Sequence, residues 1–117
     1  MQAGNGDLVS WSSLEGLETA MGKDAAKAFA IRLLGFLETK VDETEKAFLD
    51  GYDENILNCL HKLASNAAAL GALQLSQTAR ALEGDCREAR WEHVKAQREP
   101  LIDLARRSLA ILRERLG

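Results

Sequence analysis

The run Asn58-Cys59-Leu60-His61-Lys62-Leu63-Ala64-Ser65-Asn66-Ala67-Ala68-Ala69-Leu70-Gly71-Ala72 sets the frame for the whole chain. It holds no Gly or Pro before Gly71 and is rich in residues that favour helix. At about 100° per residue, with His61 as origin, Ile56, Leu60, Leu63, Ala67 and Leu70 collect on one side, with Cys59 at its edge. That stripe is the expected buried face. His61 falls almost opposite it and is expected to face water. Ala64, Ser65 and Ala68, one and two turns further on, are expected to share its outward face. A solvated helix face ordinarily carries long charged side chains. Here all three are small, so the imidazole should stand clear on a flat patch, bordered by Leu57 and Asn58, that another protein can approach closely.

Outward from this stretch, 117 residues suggest one domain with a single core. The composition is 46% hydrophobic and 28% charged with one Pro, which fits a globular chain and not a disordered one. Aromatic content of 5% and the lack of β-branched alternation disfavour an all-β fold. A net charge of -3 points away from general nucleic-acid binding, which needs a strongly basic surface. No apolar run reaches the length of a membrane span. Residues 1–7, Met1-Gln2-Ala3-Gly4-Asn5-Gly6-Asp7, have neither the basic and apolar regions of a secretory signal nor a phosphate-loop pattern; they read as a flexible tail ahead of a domain over 8–117. Cys59 and Cys86 form no CxxC unit and read as reduced, partly buried thiols of a cytoplasmic protein.

Punctuation divides the domain into helices. Ser12-Ser13-Leu14-Glu15 has capping-box spacing, with Ser12 as N-cap, and opens a short helix that should stop near Gly22. Asp24 is placed to cap the next helix, which runs to about Leu49 with Phe29, Leu33, Phe36, Leu37, Val41 and Phe48 at apolar spacing. Gly51 breaks the chain, and Asp53 is placed to cap the helix that carries His61. Leu75, Ala79, Leu82 and Cys86 define another helix, ending between Gly84 and Arg90. The last begins near Trp91 and continues through Leu116, with a kink expected at Pro100 because the apolar phase is kept on both sides. Four longer amphipathic helices with short connections and one short leading helix predict an all-α, antiparallel up-down-up-down four-helix bundle.

The run from His61 to Ala72, continuing to Leu82-Glu83, resembles the histidine-containing phosphotransfer (HPt) domain family. That family's pattern places Leu two residues after the His, Lys at three, Gly at four, Gly-Ala at ten and eleven, and a Leu-Glu pair in the next helix. Leu63, Gly71, Ala72, Leu82 and Glu83 match; Ala64 and Ser65 replace the Lys and the first Gly, and a Lys stands instead at Lys62. The resemblance spans roughly Leu8 to Leu116 and implies the same bundle, with the His on the second long helix.

It also implies a function. His61 would accept a phosphoryl group from a receiver-domain aspartate and pass it to a second receiver, as a phosphocarrier of two-component signal transduction without autokinase activity. The chain would need no cofactor of its own; Mg²⁺ would belong to the partner receiver. The partners implied are response-regulator receiver domains and a hybrid sensor kinase. Lys62 and Ser65 are the candidates for steadying the phosphoryl oxygens, and Leu57, Asn58, Ala64, Ser65 and Ala68 for docking. Two other readings stand beside this one: an HPt-like adaptor that binds a receiver or kinase without efficient transfer, and an unrelated helical-bundle interaction module. No Ser-His-Asp, Cys-His or paired-carboxylate arrangement points to an enzyme with its own active site. His93 shows no companion ligand or base, and no sustained heptad seam demands a dimer, so a monomer is expected.

Overall fold

A 28-residue helix, about 42 Å long at 1.5 Å per residue, is the spine against which most of the chain packs. The computed structural model describes residues 8–117, so the predicted tail over residues 1–7 lies outside the described residues. Those residues form six helices and no strand: α1 (Ser12–Met21), α2 (Lys23–Asp50, the spine), α3 (Asp53–Ala69), α4 (Leu73–Arg87), α5 (Trp91–Ala96) and α6 (Arg98–Leu116). The short α1 packs on α2. Helices α2, α3, α4 and α6 close a circuit, in which α3 touches α2 and α4, and α6 touches α4 and α2.

Where side chains tie them together, α6 runs opposite to α2 and α4 runs opposite to α3. Arg106 of α6 pairs with Asp42 and Glu45 of α2 at 3.2 and 2.9 Å, while Arg113 further on meets Glu38 further back at 2.6 Å. Ser76 Oγ of α4 donates to the Ala64 carbonyl of α3 at 2.9 Å, and Glu83 reaches back to His61. Inside the circuit, Leu37, Val41, Ile56, Leu60, Leu63, Leu70, Leu75, Leu101, Leu109 and Leu112 are fully buried. The buried hydroxyls of Thr44 and Ser108 return to the carbonyls four residues back, so they bring no unpaired polar atom into this core.

Three local expectations need correction. Ser12, Asp24 and Asp53 do not cap: Trp11, Gly22 and Tyr52 occupy the N-cap positions, and none of the three helix starts has a side-chain cap bond. Glu15, Asp24 and Asp53 instead lie in first turns, where a carboxylate meets the positive end of the helix dipole. Second, Phe29 and Phe36 are exposed, and Leu33 is only partly buried. The buried face of α2 is Ala26, Ala30, Leu34, Leu37, Val41, Thr44, Ala47 and Phe48, a stripe roughly 100° round from the one through Phe29 and Phe36. Both stripes have helical spacing, and spacing alone does not choose between them.

Third, the break near Pro100 falls before it. Pro100 sits in the first turn of α6, where its missing N–H costs little. A continuous helix would have required that N–H to bond Ala96, the last residue of α5, and the proline ring to clear the Ala96 carbonyl. The chain turns instead at Gln97, whose N–H bonds Val94 and whose carbonyl accepts from Leu101, each at 3.0 Å.

The turn between α3 and α4 is fixed from outside. Gly71 has φ +80°, and the Ala72 N–H reaches the Ala67 carbonyl at 2.9 Å, closing the end of α3. The Ser10 N–H donates to the Gly71 carbonyl at 2.7 Å, and a Cβ at Gly71 would fall 2.0 Å from the Ser10 carbonyl oxygen. The segment Leu8–Ser10, with Leu8 and Val9 buried, thus locks this hairpin in place.

Candidate functional site

His61 lies midway along α3 on the flank facing α4. Its side chain keeps 60% of its surface exposed, and Nδ1 stands 3.0 Å from Oε2 of Glu83. Glu83 is the opposite kind of residue, a carboxylate with only 11% of its side chain exposed. It is held by a second partner, since Arg87 Nη2, one turn further along α4, donates to the same Oε2 at 2.7 Å. Burial alone would push the Glu83 carboxyl up, but hydrogen bonds from Arg87 and His61, with their charges, outweigh it and hold the group below the usual carboxylate range. At neutral pH Glu83 is therefore ionised and only accepts hydrogen bonds.

That settles which proton the ring carries. An ionised carboxylate at 3.0 Å requires Nδ1 to be the donor, so in the neutral ring the lone pair is on Nε2. One nitrogen is tied down and the other is left for chemistry, the arrangement by which a carboxylate orients a nucleophilic or metal-binding imidazole. Among the described residues no group of three His, Cys, Asp or Glu side chains is arranged to hold a metal ion.

The expected neighbours of His61 separate into two sets. Ser65 and Asn58 are exposed, while Leu57 and Ala68 are half-buried at the edge of the same face. Ala64 corrects the expectation: it is fully buried, with α4 lying across it and Ser76 bonded to its carbonyl. Its smallness serves the close approach of α3 and α4 and not an outside visitor. The buried arc of α3 is wider than the leucine stripe suggested, because a helix packed on one flank covers residues the main core does not reach.

Lys62 is exposed, and its charge bears on Cys59, on the α2 side of α3. Burial and Glu43 nonetheless raise the Cys59 thiol, whose sulfur lies 3.8 Å from the Glu43 carbonyl. Burial, with Asp85 and other carboxylates, pushes Cys86 up to about 11, so both thiols stay protonated at neutral pH. His93 has a neighbour after all, Asp85 at 3.5 Å, but Asp85 is also engaged by Arg90 at 3.1 Å.

In the sequence Glu83 stands only as a match to the Leu-Glu pair of the resembling family, with no task assigned to it. The signal was present: Ser76 and Glu83 stand seven residues apart on the α4 face that meets α3, among small and apolar residues. A carboxylate there must find partners or not be charged. Compared with protein-family models, curated proteins and solved structures, the chain matches none.

Proposed function

We propose that this protein is a histidine phosphocarrier of a two-component phosphorelay, taking a phosphoryl group from a receiver-domain aspartate onto Nε2 of His61 and delivering it to another receiver. The observation that carries this reading is the exposed imidazole whose Nδ1 is bound to a buried, ionised Glu83. The circuit of α2, α3, α4 and α6 supports it as an up-down-up-down four-helix bundle with α1 as the extra leading helix and His61 on the second long helix, the HPt arrangement.

The step balances without a proton transfer. The Nε2 lone pair forms the N–P bond in line with the breaking P–O bond of the aspartyl phosphate, whose electrons return to the carboxylate. The ring becomes a phosphoimidazolium that keeps its Nδ1 proton, and the Glu83 carboxylate offsets the new positive charge. Delivery to the next receiver is the reverse step, with neutral imidazole leaving. Leu57, Asn58, Ser65 and Ala68 form the low rim on which a receiver docks. The Mg²⁺ and the acidic cluster belong to that partner, and the setting is the cytoplasm.

Incubation with a ³²P-labelled receiver domain tests the reading. Acid-labile, base-stable label on the wild type and none on His61→Gln is the expected result. Receiver binding without label identifies an adaptor instead, and neither binding nor label identifies an unrelated interaction module.

A further inference from the structure

We propose that Arg87 is the cation that receives the phosphoryl oxygens on His61, a role that rests on the phosphocarrier reading. The resembling family places a Lys one turn beyond the His. Here that position is Ala64, buried under α4, where no ammonium could emerge beside the ring. Lys62 bears on the other flank, toward Cys59 and α2. The positive group on the Glu83 flank is Arg87. Its Nη2 and the imidazole Nδ1 sit on the same oxygen, Glu83 Oε2, at 2.7 and 3.0 Å, so the two groups are no further apart than those two bonds laid end to end.

The guanidinium is placed to do more than hold Glu83. Its side chain is 62% exposed, and among the described residues its only partner is Glu83. A guanidinium has five N–H donors in a planar fork, so those not engaged by Glu83 remain for a phosphoryl group, which Arg binds in two-pronged fashion. The flexible arm can follow the rim of the ring toward Nε2 while Glu83 keeps Nδ1. On phosphorylation the site would hold two new charges, an imidazolium facing Glu83 and a phosphoryl dianion facing Arg87. The existing Glu83–Arg87 pair thereby becomes two complementary pairs.

Phosphoramidate is a suitable probe, because it needs no protein docking: the His61 Nε2–P bond forms as the donor's P–N bond breaks and ammonia leaves. Label uptake and the lifetime of the phosphoprotein would be followed for the wild type, Arg87→Ala, Arg87→Lys, Arg80→Ala and His61→Gln, each checked by circular dichroism. The expected result is about tenfold slower uptake for Arg87→Ala, partial recovery in Arg87→Lys, and wild-type behaviour in Arg80→Ala, an exposed α4 arginine close to Glu83 in sequence. Unchanged uptake in Arg87→Ala, with His61→Gln blank, overturns the role of Arg87 and leaves the carrier standing. Equal losses in Arg80→Ala and Arg87→Ala overturn it too, since they report only the general positive field. So does a switch of the His61 tautomer by ¹⁵N NMR in Arg87→Ala, which would show that Arg87 acts through Glu83. A wild type that takes no label from phosphoramidate or from any receiver overturns the carrier reading and this role together.

Discussion

Nδ1 of His61 is 3.0 Å from Oε2 of Glu83, a pairing across two helices between residues 22 apart in sequence. The carboxylate fixes the ring's tautomer and, in the proposed carrier role, would face the positive charge that grows when Nε2 is phosphorylated. Glu83→Gln keeps the shape and removes the charge. Exchanging a charge-assisted hydrogen bond, worth about 1.5–3 kcal/mol, for a neutral one, worth about 0.5–1.5 kcal/mol, loses roughly 1–1.5 kcal/mol and predicts phosphoryl uptake slowed by about 5- to 10-fold, with helicity retained. Uptake at the wild-type rate in Glu83→Gln would remove the carboxylate from the chemistry.

The same pairing predicts how stability depends on pH. The Glu83 carboxyl is held below its ordinary value in the folded protein, because the bonds from Arg87 and His61 outweigh its burial. A group depressed in this way stabilises the fold above its unfolded pKa, and the contribution disappears as pH falls through the folded value. Urea unfolding of the wild type and of Glu83→Gln should therefore differ above the ordinary carboxylate range, where the charged pair also includes any protonated His61, and converge below it. A difference that persists undiminished below that range would contradict this linkage.

Ala64 and Ser65 are neighbours in sequence and should behave as opposites. Ala64 lies under α4, fully buried, so Ala64→Leu overpacks that interface and should cost about 1–3 kcal/mol in urea unfolding, with Ala64→Arg costing more. Ser65 is exposed beside His61, so Ser65→Arg should change stability by less than about 0.5 kcal/mol while hindering receiver docking. Equal stability of Ala64→Arg and wild type would mean that this flank of α3 is open.

Two residues with positive φ make a further contrast. Gly71 is required by its φ of +80° and by the Ser10 carbonyl, so Gly71→Ala should cost more than about 2 kcal/mol and loosen the Leu8–Ser10 segment. Ala89, at φ +59°, closes α4 in a conformation that a side chain disfavours; its N–H bonds Cys86, and the Arg90 N–H bonds Asp85, both at 2.9 Å. Ala89→Gly should therefore raise stability by up to about 1 kcal/mol. Thermal melts of both variants check the two signs.

Much of this fold was legible in the sequence because helical spacing and glycine punctuation are local signals. The ends of α1 at Gly22, α2 at Gly51 and α3 just before Gly71 followed from residues that tolerate positive φ. The exposure of His61 followed from its place opposite Leu60 and Leu63. What the sequence concealed depends on which helix lies where. Phe29 and Phe36 share a respectable stripe that none of the described helices covers, whereas Ala64 is hidden because α4 crosses it. The bond from His61 to Glu83 joins two helices through a turn that the Leu8–Ser10 segment locks, and periodicity within one helix carries no such information.

In the proposed relay Glu83 ties up Nδ1 and leaves Nε2 of His61 to carry the phosphoryl group. The most direct measurement is ¹⁵N and ³¹P NMR of the phosphorylated, ¹⁵N-histidine-labelled protein, with His61→Gln as the reference. The expected spectrum has a phosphorus coupled to Nε2 of His61, while Nδ1 keeps its proton. A phosphoryl group on Nδ1, or on another residue, would contradict the account.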